Sequence, residues 1–226
     1  MTFGSQVQSF YFNLGKYPKV PEGVGVLNPF QNTDTQVVVS KFFDKFYNDN
    51  NQRILLIPIN PGRFGSGVTG IPFTDPIQLA SVCGIDNDFK KRTELSARFI
   101  YKMIEELGGV DDFYSKFYFS SVSPLGFVKD GKNLNYYDLP ELQNNWEAFM
   151  LNNLRKKIAF GASSKIAFVI GRGKNFKYMN YLNKKYQLFD RLIDLPHPRW
   201  VMQYRLKRID EFILEYKEKL QRGLTY

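Results

Sequence analysis

Few residues in this chain are equipped for chemistry, and their settings narrow what that chemistry can be. The single histidine, His197, sits between Pro196 and Pro198 directly after the apolar run 188–195. A lone histidine is as often a structural hydrogen-bonding residue as a catalytic one, and its place just past a strand end favours function. The apolar run 53–59 empties into a loop in which Gly62, Gly65, Gly67 and Gly70 are interleaved with Pro61 and Pro72. Glycine admits positive φ and close approach, while proline stiffens the backbone, so this loop predicts a preformed pocket. Gly65, Gly67 and Gly70 satisfy G-x-G-x-x-G, but Pro72 and Pro76 follow in a segment without helical period, so the dinucleotide fingerprint is accidental. Gly171-Arg172-Gly173 needs only a strand-to-helix turn. No serine stands in a G-x-S-x-G elbow, which leaves a Ser/His/Asp set without its specific signal. With Cys83 the only cysteine, a disulfide framework is excluded and a structural zinc site is not expected.

Composition bounds the rest. The formal charge of +9, pI near 9.4 and 16% aromatics fit a protein that meets a polyanion, although an excess of lysine can also serve solubility alone. At 226 residues one domain with a substantial core is expected. Cysteine usage points to a reducing, intracellular compartment, which in a bacterium would be cytoplasm or nucleoid, and neither a signal peptide nor a membrane-spanning run is visible.

The elements that would position these loops alternate. Helices are expected over 5–14, about 34–47, 76–82, 93–107, 141–160, 175–186 and 202–220, with Asp34 or Thr35 capping the second and Asp75-Pro76 opening the third. Strands are expected over 53–59, 117–122, 165–170 and 188–195, and residues 16–29 read as surface loop. Such alternation argues for a parallel sheet covered on both faces, with ligands at the carboxyl ends of its strands.

The run Asn60 to Phe73, NPGRFGSGVTGIPF, resembles the first motif of the uracil-DNA glycosylase superfamily, in the form N-P-G-x-F-G-x-x-x-T-G-x-P-F of its single-strand-selective monofunctional branch. Asn28-Pro29, Ser123-Pro124-Leu125, Gly131-Lys132-Asn133-Leu134, Leu139-Pro140 and the final Leu195 to Arg199 follow the same branch in order. The resemblance implies a three-layer α/β/α sandwich, one domain over 1–226 with a short four-stranded parallel sheet. Its implied activity is hydrolysis of the N-glycosidic bond of uracil or a related deaminated base flipped out of DNA, by a monomer with no metal or organic cofactor. By match, Asn60 positions the water and His197 donates to the departing pyrimidine; Gly62, Phe64, Phe73 and Ser121 contact the base. Arg199 and Arg205 meet phosphates, and Trp200 or Met202 fills the vacated stack.

Two departures from the family stand out. Its H-P-S-P-R pattern is shortened here to His197-Pro198-Arg199, and Ser121 stands where the family has an asparagine that pairs with uracil. Serine reaches less far and has one donor, so the readings open here are weaker discrimination against cytosine, a preference for another deaminated base, a water filling the gap, or a passive Ser121 with poor or absent activity. No motif-placed lysine offers a Schiff base, hence the monofunctional expectation. Two rivals remain: a nucleic-acid-binding protein of the same fold that has lost catalysis, and a hydrolase of free nucleosides or nucleotides.

Overall fold

The computed structural model describes all 226 residues. The chain begins with α1 (Phe3–Phe12) and β1 (Val24–Leu27), followed by α2 (Thr33–Phe46) and β2 (Arg53–Ile57). The glycine loop carries a single short turn of helix, α3 (Ser66–Thr69), before α4 (Pro76–Ser81), α5 (Leu95–Glu106) and α6 (Val110–Lys116). Then come β3 (Phe117–Phe119), β4 (Gly126–Lys129), β5 (Lys132–Leu134), α7 (Pro140–Ala159) and β6 (Ala162–Ile170). The chain closes with α8 (Lys174–Tyr186), β7 (Arg191–Leu195), α9 (Pro198–Tyr204) and α10 (Ile209–Gly223).

The main sheet is parallel, in the order β3-β2-β6-β7. All five residues of β2 are buried, which requires cover on both faces and explains why Arg53–Ile57 reads as an unbroken apolar run after its arginine. That arginine is the anchor of the amino end. Arg53 is fully buried, donates to both carboxylate oxygens of Asp49 at 2.6 and 2.8 Å and to Tyr114 O at 2.9 Å, and lies over the Tyr47 and Phe3 rings. A buried charge persists only when paired and bonded in this way.

A second, antiparallel sheet, β1-β4-β5, was not expected from the sequence. Its hairpin turns at Asp130-Gly131, with φ of 48° and 67°, the mirror-image turn that Asp-Gly favours between paired strands. The helix expected over 202–220 is also two elements. Arg205 leaves helical geometry at φ −136°, so α9 ends there, and a 3₁₀ turn at Leu206–Arg208 leads into α10. Asn32, rather than Asp34 or Thr35, caps α2 by accepting from the Thr35 amide at 3.0 Å. One apolar cluster runs from Phe3 to Leu220 and draws on both sheets and the helices around them.

Candidate active site

A cleft of about 600 Å³ opens at the carboxyl ends of the parallel strands. It gathers Asn60 and Gly62 from just past β2, Ser121 from just past β3 and His197 from just past β7, together with Phe73. The β4–β5 hairpin supplies another wall through Asn133, Asn135 and Tyr137.

Asn60 is held at both ends of its amide. Its Oδ1 accepts from the Tyr136 backbone N–H at 3.0 Å, and its Nδ2 donates to Leu134 O at 3.2 Å. His197 caps α9: its Nδ1 accepts from the Arg199 N–H at 3.2 Å. With Nδ1 acting as acceptor, the neutral ring carries its proton on Nε2, which leaves Nε2–H as the free donor. Burial, helped by the Arg199 charge, pushes the His197 pKa down to about 4, so the ring is neutral at physiological pH. The turn carrying it is fixed from behind, where the buried Tyr216 hydroxyl donates to Pro196 O at 2.5 Å.

Phe73 is buried in the left-handed region, φ 55°, a conformation costing a non-glycine residue on the order of 1–2 kcal/mol. Thr69 over-determines that backbone. Its hydroxyl accepts from Ile71 N at 3.2 Å and donates to Thr74 O at 2.7 Å, across the strained residue. The ring stands edge-on to His197 and Phe119, with centroids 6.1 and 5.4 Å away. Gly67 is required because a Cβ there would collide with the Gly62 carbonyl, which accepts from its N–H at 2.8 Å. Ser121 continues the β2–β3 pairing beyond the formal strand, with Val122 N on Pro58 O at 2.9 Å. Asn153 of α7 donates to Ser121 O at 2.8 Å and locks the segment.

One carboxyl faces this cleft. Glu94 has no cation within ion-pairing distance; burial, then the charge of Asp75, raise its pKa to about 7 against the opposing pull of Arg199. Its backbone N–H donates to Asp75 Oδ2 at 2.8 Å, and a Cβ on Gly65 would collide with its carboxylate. No three His, Cys, Asp or Glu side chains come together to hold a metal ion, and no helix is long and apolar enough to cross a membrane.

The profile of the uracil DNA glycosylase superfamily matches residues 45–221. The chain belongs to the uracil-DNA glycosylase superfamily. Its fold matches the crystal structure of wild-type SMUG2 from Pedobacter heparinus with a TM-score of 0.96, at 39% identity and with each chain covered in full. No curated protein sequence matches.

Within this superfamily fold, Asn60, Gly62, Phe73, Ser121, His197, Arg199 and Trp200 all line the cleft. Three expected positions do not. Phe64 is turned to a different task, its ring lying 3.6 Å beneath the Arg92 guanidinium with Arg63 at 4.7 Å. Met202 is 7% exposed and packs in the core, because its place on α9 faces inward. It therefore cannot enter a duplex as the sequence reading allowed; Trp200, 40% exposed on the same helix, keeps that option. Arg205 stays outside the cleft with its guanidinium 5.0 Å over the Trp200 ring. Conversely, Tyr204, 66% exposed at the mouth, and Glu94 went unnoticed. Glu94 was absorbed into a helix start, and a tyrosine in a basic amphipathic segment carries no distinguishing signal.

Proposed function

We propose that this superfamily member excises uracil or a related deaminated base flipped out of DNA by hydrolysing its N-glycosidic bond, leaving an abasic site. The C1′–N bond breaks with its electron pair leaving on the base. Positive charge then develops on the sugar and negative charge on the pyrimidine. His197 donates from Nε2 to the pyrimidine O2 as that charge grows; a neutral donor suffices, and its depressed pKa keeps it neutral. Asn60 cannot accept a proton as a base would, so it orients the water that adds to C1′ once the bond is largely broken, and the proton this water loses neutralises the departed base anion, directly or through solvent. Phe73 stacks on the base. Ser121 offers one hydroxyl to its edge, and Arg199 and Trp200 at the mouth meet the displaced strand.

The observation that carries this reading is the meeting, in one cleft, of a carboxamide oxygen with a lone pair to spare and a histidine whose only free ring atom is a donor. The test is incubation with oligonucleotides carrying single uracil, hypoxanthine, xanthine or hydroxymethyluracil residues, followed by alkaline cleavage of abasic sites. Cleavage confined to lesion-bearing strands is expected. Tight DNA binding without cleavage of any of them would favour a binding protein, and activity on free nucleosides alone would favour a nucleoside hydrolase.

A further inference from the structure

The orientation of Asn60 is dictated by the end of β5 and the arm that follows it. Its Oδ1 accepts from the Tyr136 N–H in this arm, and its Nδ2 donates to Leu134 O at the end of β5 and, at 3.3 Å, to the neighbouring Pro61 O. Turning the amide over would set N–H against N–H and oxygen against oxygen, so only one orientation is bonded. In that orientation Oδ1 has one lone pair on Tyr136 and one left over. A water donating to it keeps its own lone pairs free for C1′.

The arm itself is pinned from below. Tyr136 is fully buried, and its hydroxyl donates to Asn175 Oδ1 at 2.7 Å. Asn175, buried at the start of α8, spends its amide protons on Ile170 O at 2.9 Å and Ile57 O at 3.3 Å. Those two carbonyls terminate the central strands β6 and β2. A continuous set of hydrogen bonds thus runs from the ends of the sheet through Asn175 and Tyr136 to the oxygen of Asn60. Tyr136 does not line the cleft; Asn175 does reach its wall, but its amide protons are spent on the strand ends and its Oδ1 on the Tyr136 hydroxyl.

We infer that Tyr136 and Asn175 are positioning residues for Asn60, setting the carboxamide that holds the attacking water. This rests on the reading of Asn60 given above. Tyr136→Phe keeps the ring but removes the donor to Asn175, which releases the arm from the sheet. On uracil-containing DNA with enzyme in excess, the single-turnover rate is expected to fall about tenfold, less than the roughly hundredfold that a 1 Å misplacement costs. Affinity for abasic product DNA should not change. In an Asn60→Ala background the same substitution should have no further effect, because nothing is left to position. A parent-like rate for Tyr136→Phe, or an equal loss in both backgrounds, overturns the inference. A second measurement needs no substrate: hydrogen exchange of the residue 136 amide, followed by ¹⁵N NMR, should accelerate in Tyr136→Phe and in Asn175→Ala. Unchanged exchange in both also overturns it. A parent protein that excises no deaminated base would sink the glycosylase reading, while the exchange data would still decide whether Tyr136 and Asn175 hold the arm against Asn60.

Discussion

Glu94→Gln should make the protein more stable above about pH 4.5, and most so at neutral and alkaline pH. The Glu94 carboxyl titrates near 7 in the folded chain against an ordinary 4.5, chiefly because burial disfavours its charge. The folded state therefore holds this proton more tightly than the unfolded state does. Below the unfolded value both states are protonated and the group has no effect. Between 4.5 and about 7 the destabilisation grows with pH, and above 7 it is fully present. At about 1.4 kcal/mol per pH unit the interval corresponds to about 3 kcal/mol, and solvent in the open cleft should reduce it to about 1–2 kcal/mol. Glutamine keeps the shape and abolishes the charge. Urea unfolding of parent and variant at pH 4 and pH 8.5 measures the effect as a difference, so that contributions shared by both chains, such as that of His197, cancel. The expected result is a variant more stable by about 1–2 kcal/mol at pH 8.5 and by almost nothing at pH 4. A difference that does not change with pH, or a less stable variant at pH 8.5, would refute the argument that this carboxylate is held against its electrostatic preference.

Asn60→Ala and His197→Ala should each slow single-turnover excision by on the order of 3–4 kcal/mol, as loss of a preorganised group does, while affinity for abasic DNA is retained. Parent-like rates would displace the site. The His197 ring should titrate by NMR near pH 4 rather than 6.5; because the unfolded chain binds that proton more strongly, stability should drop as pH falls from 6.5 toward 4. Trp200→Ala should weaken DNA binding with little effect on melting, whereas Met202→Ala should cost about 2–4 kcal/mol of stability, and a reversal of the two would restore Met202 as the wedge. Ser121→Asn should raise uracil excision relative to xanthine and hypoxanthine, since a carboxamide both donates to a carbonyl and accepts from the ring N–H; rate ratios equal to the parent's would show that residue 121 does not read the base.

The parallel sheet and its helices were legible because their signals are local. An apolar run flanked by proline, or a three-and-four stripe such as Val39, Phe42, Phe43 and Phe46, needs no partner to be recognised. The loop from Asn60 to Phe73 was legible for the same reason, as a contiguous motif. What escaped depended on distant pairing. Strand β1 has only four residues and finds its partner a hundred positions later, so its pattern is too short to stand out. Asp130-Gly131 does carry a hairpin signal, but the strands on either side, four and three residues long, are too short to show an alternating pattern. The inward face of Met202 and the outward face of Trp200 follow from where α9 begins, and that was set by the His197 cap, a contact not visible in hydrophobic spacing. Glu94 acquires its character from Asp75, nineteen positions away, and from burial.

The Arg53 anchor and the cleft occupy opposite ends of the same strands. Five residues of β2 put about 17 Å between them, far enough for substitutions at the two ends to act additively on stability. A mutation in the cleft that trades firmness for a changed activity can therefore be offset by one that strengthens the far end, without either altering the other's effect. Such a layout separates adaptation of the chemistry from maintenance of the fold. It gives a lineage room to change which base it removes while its scaffold stays within the margin that folding requires.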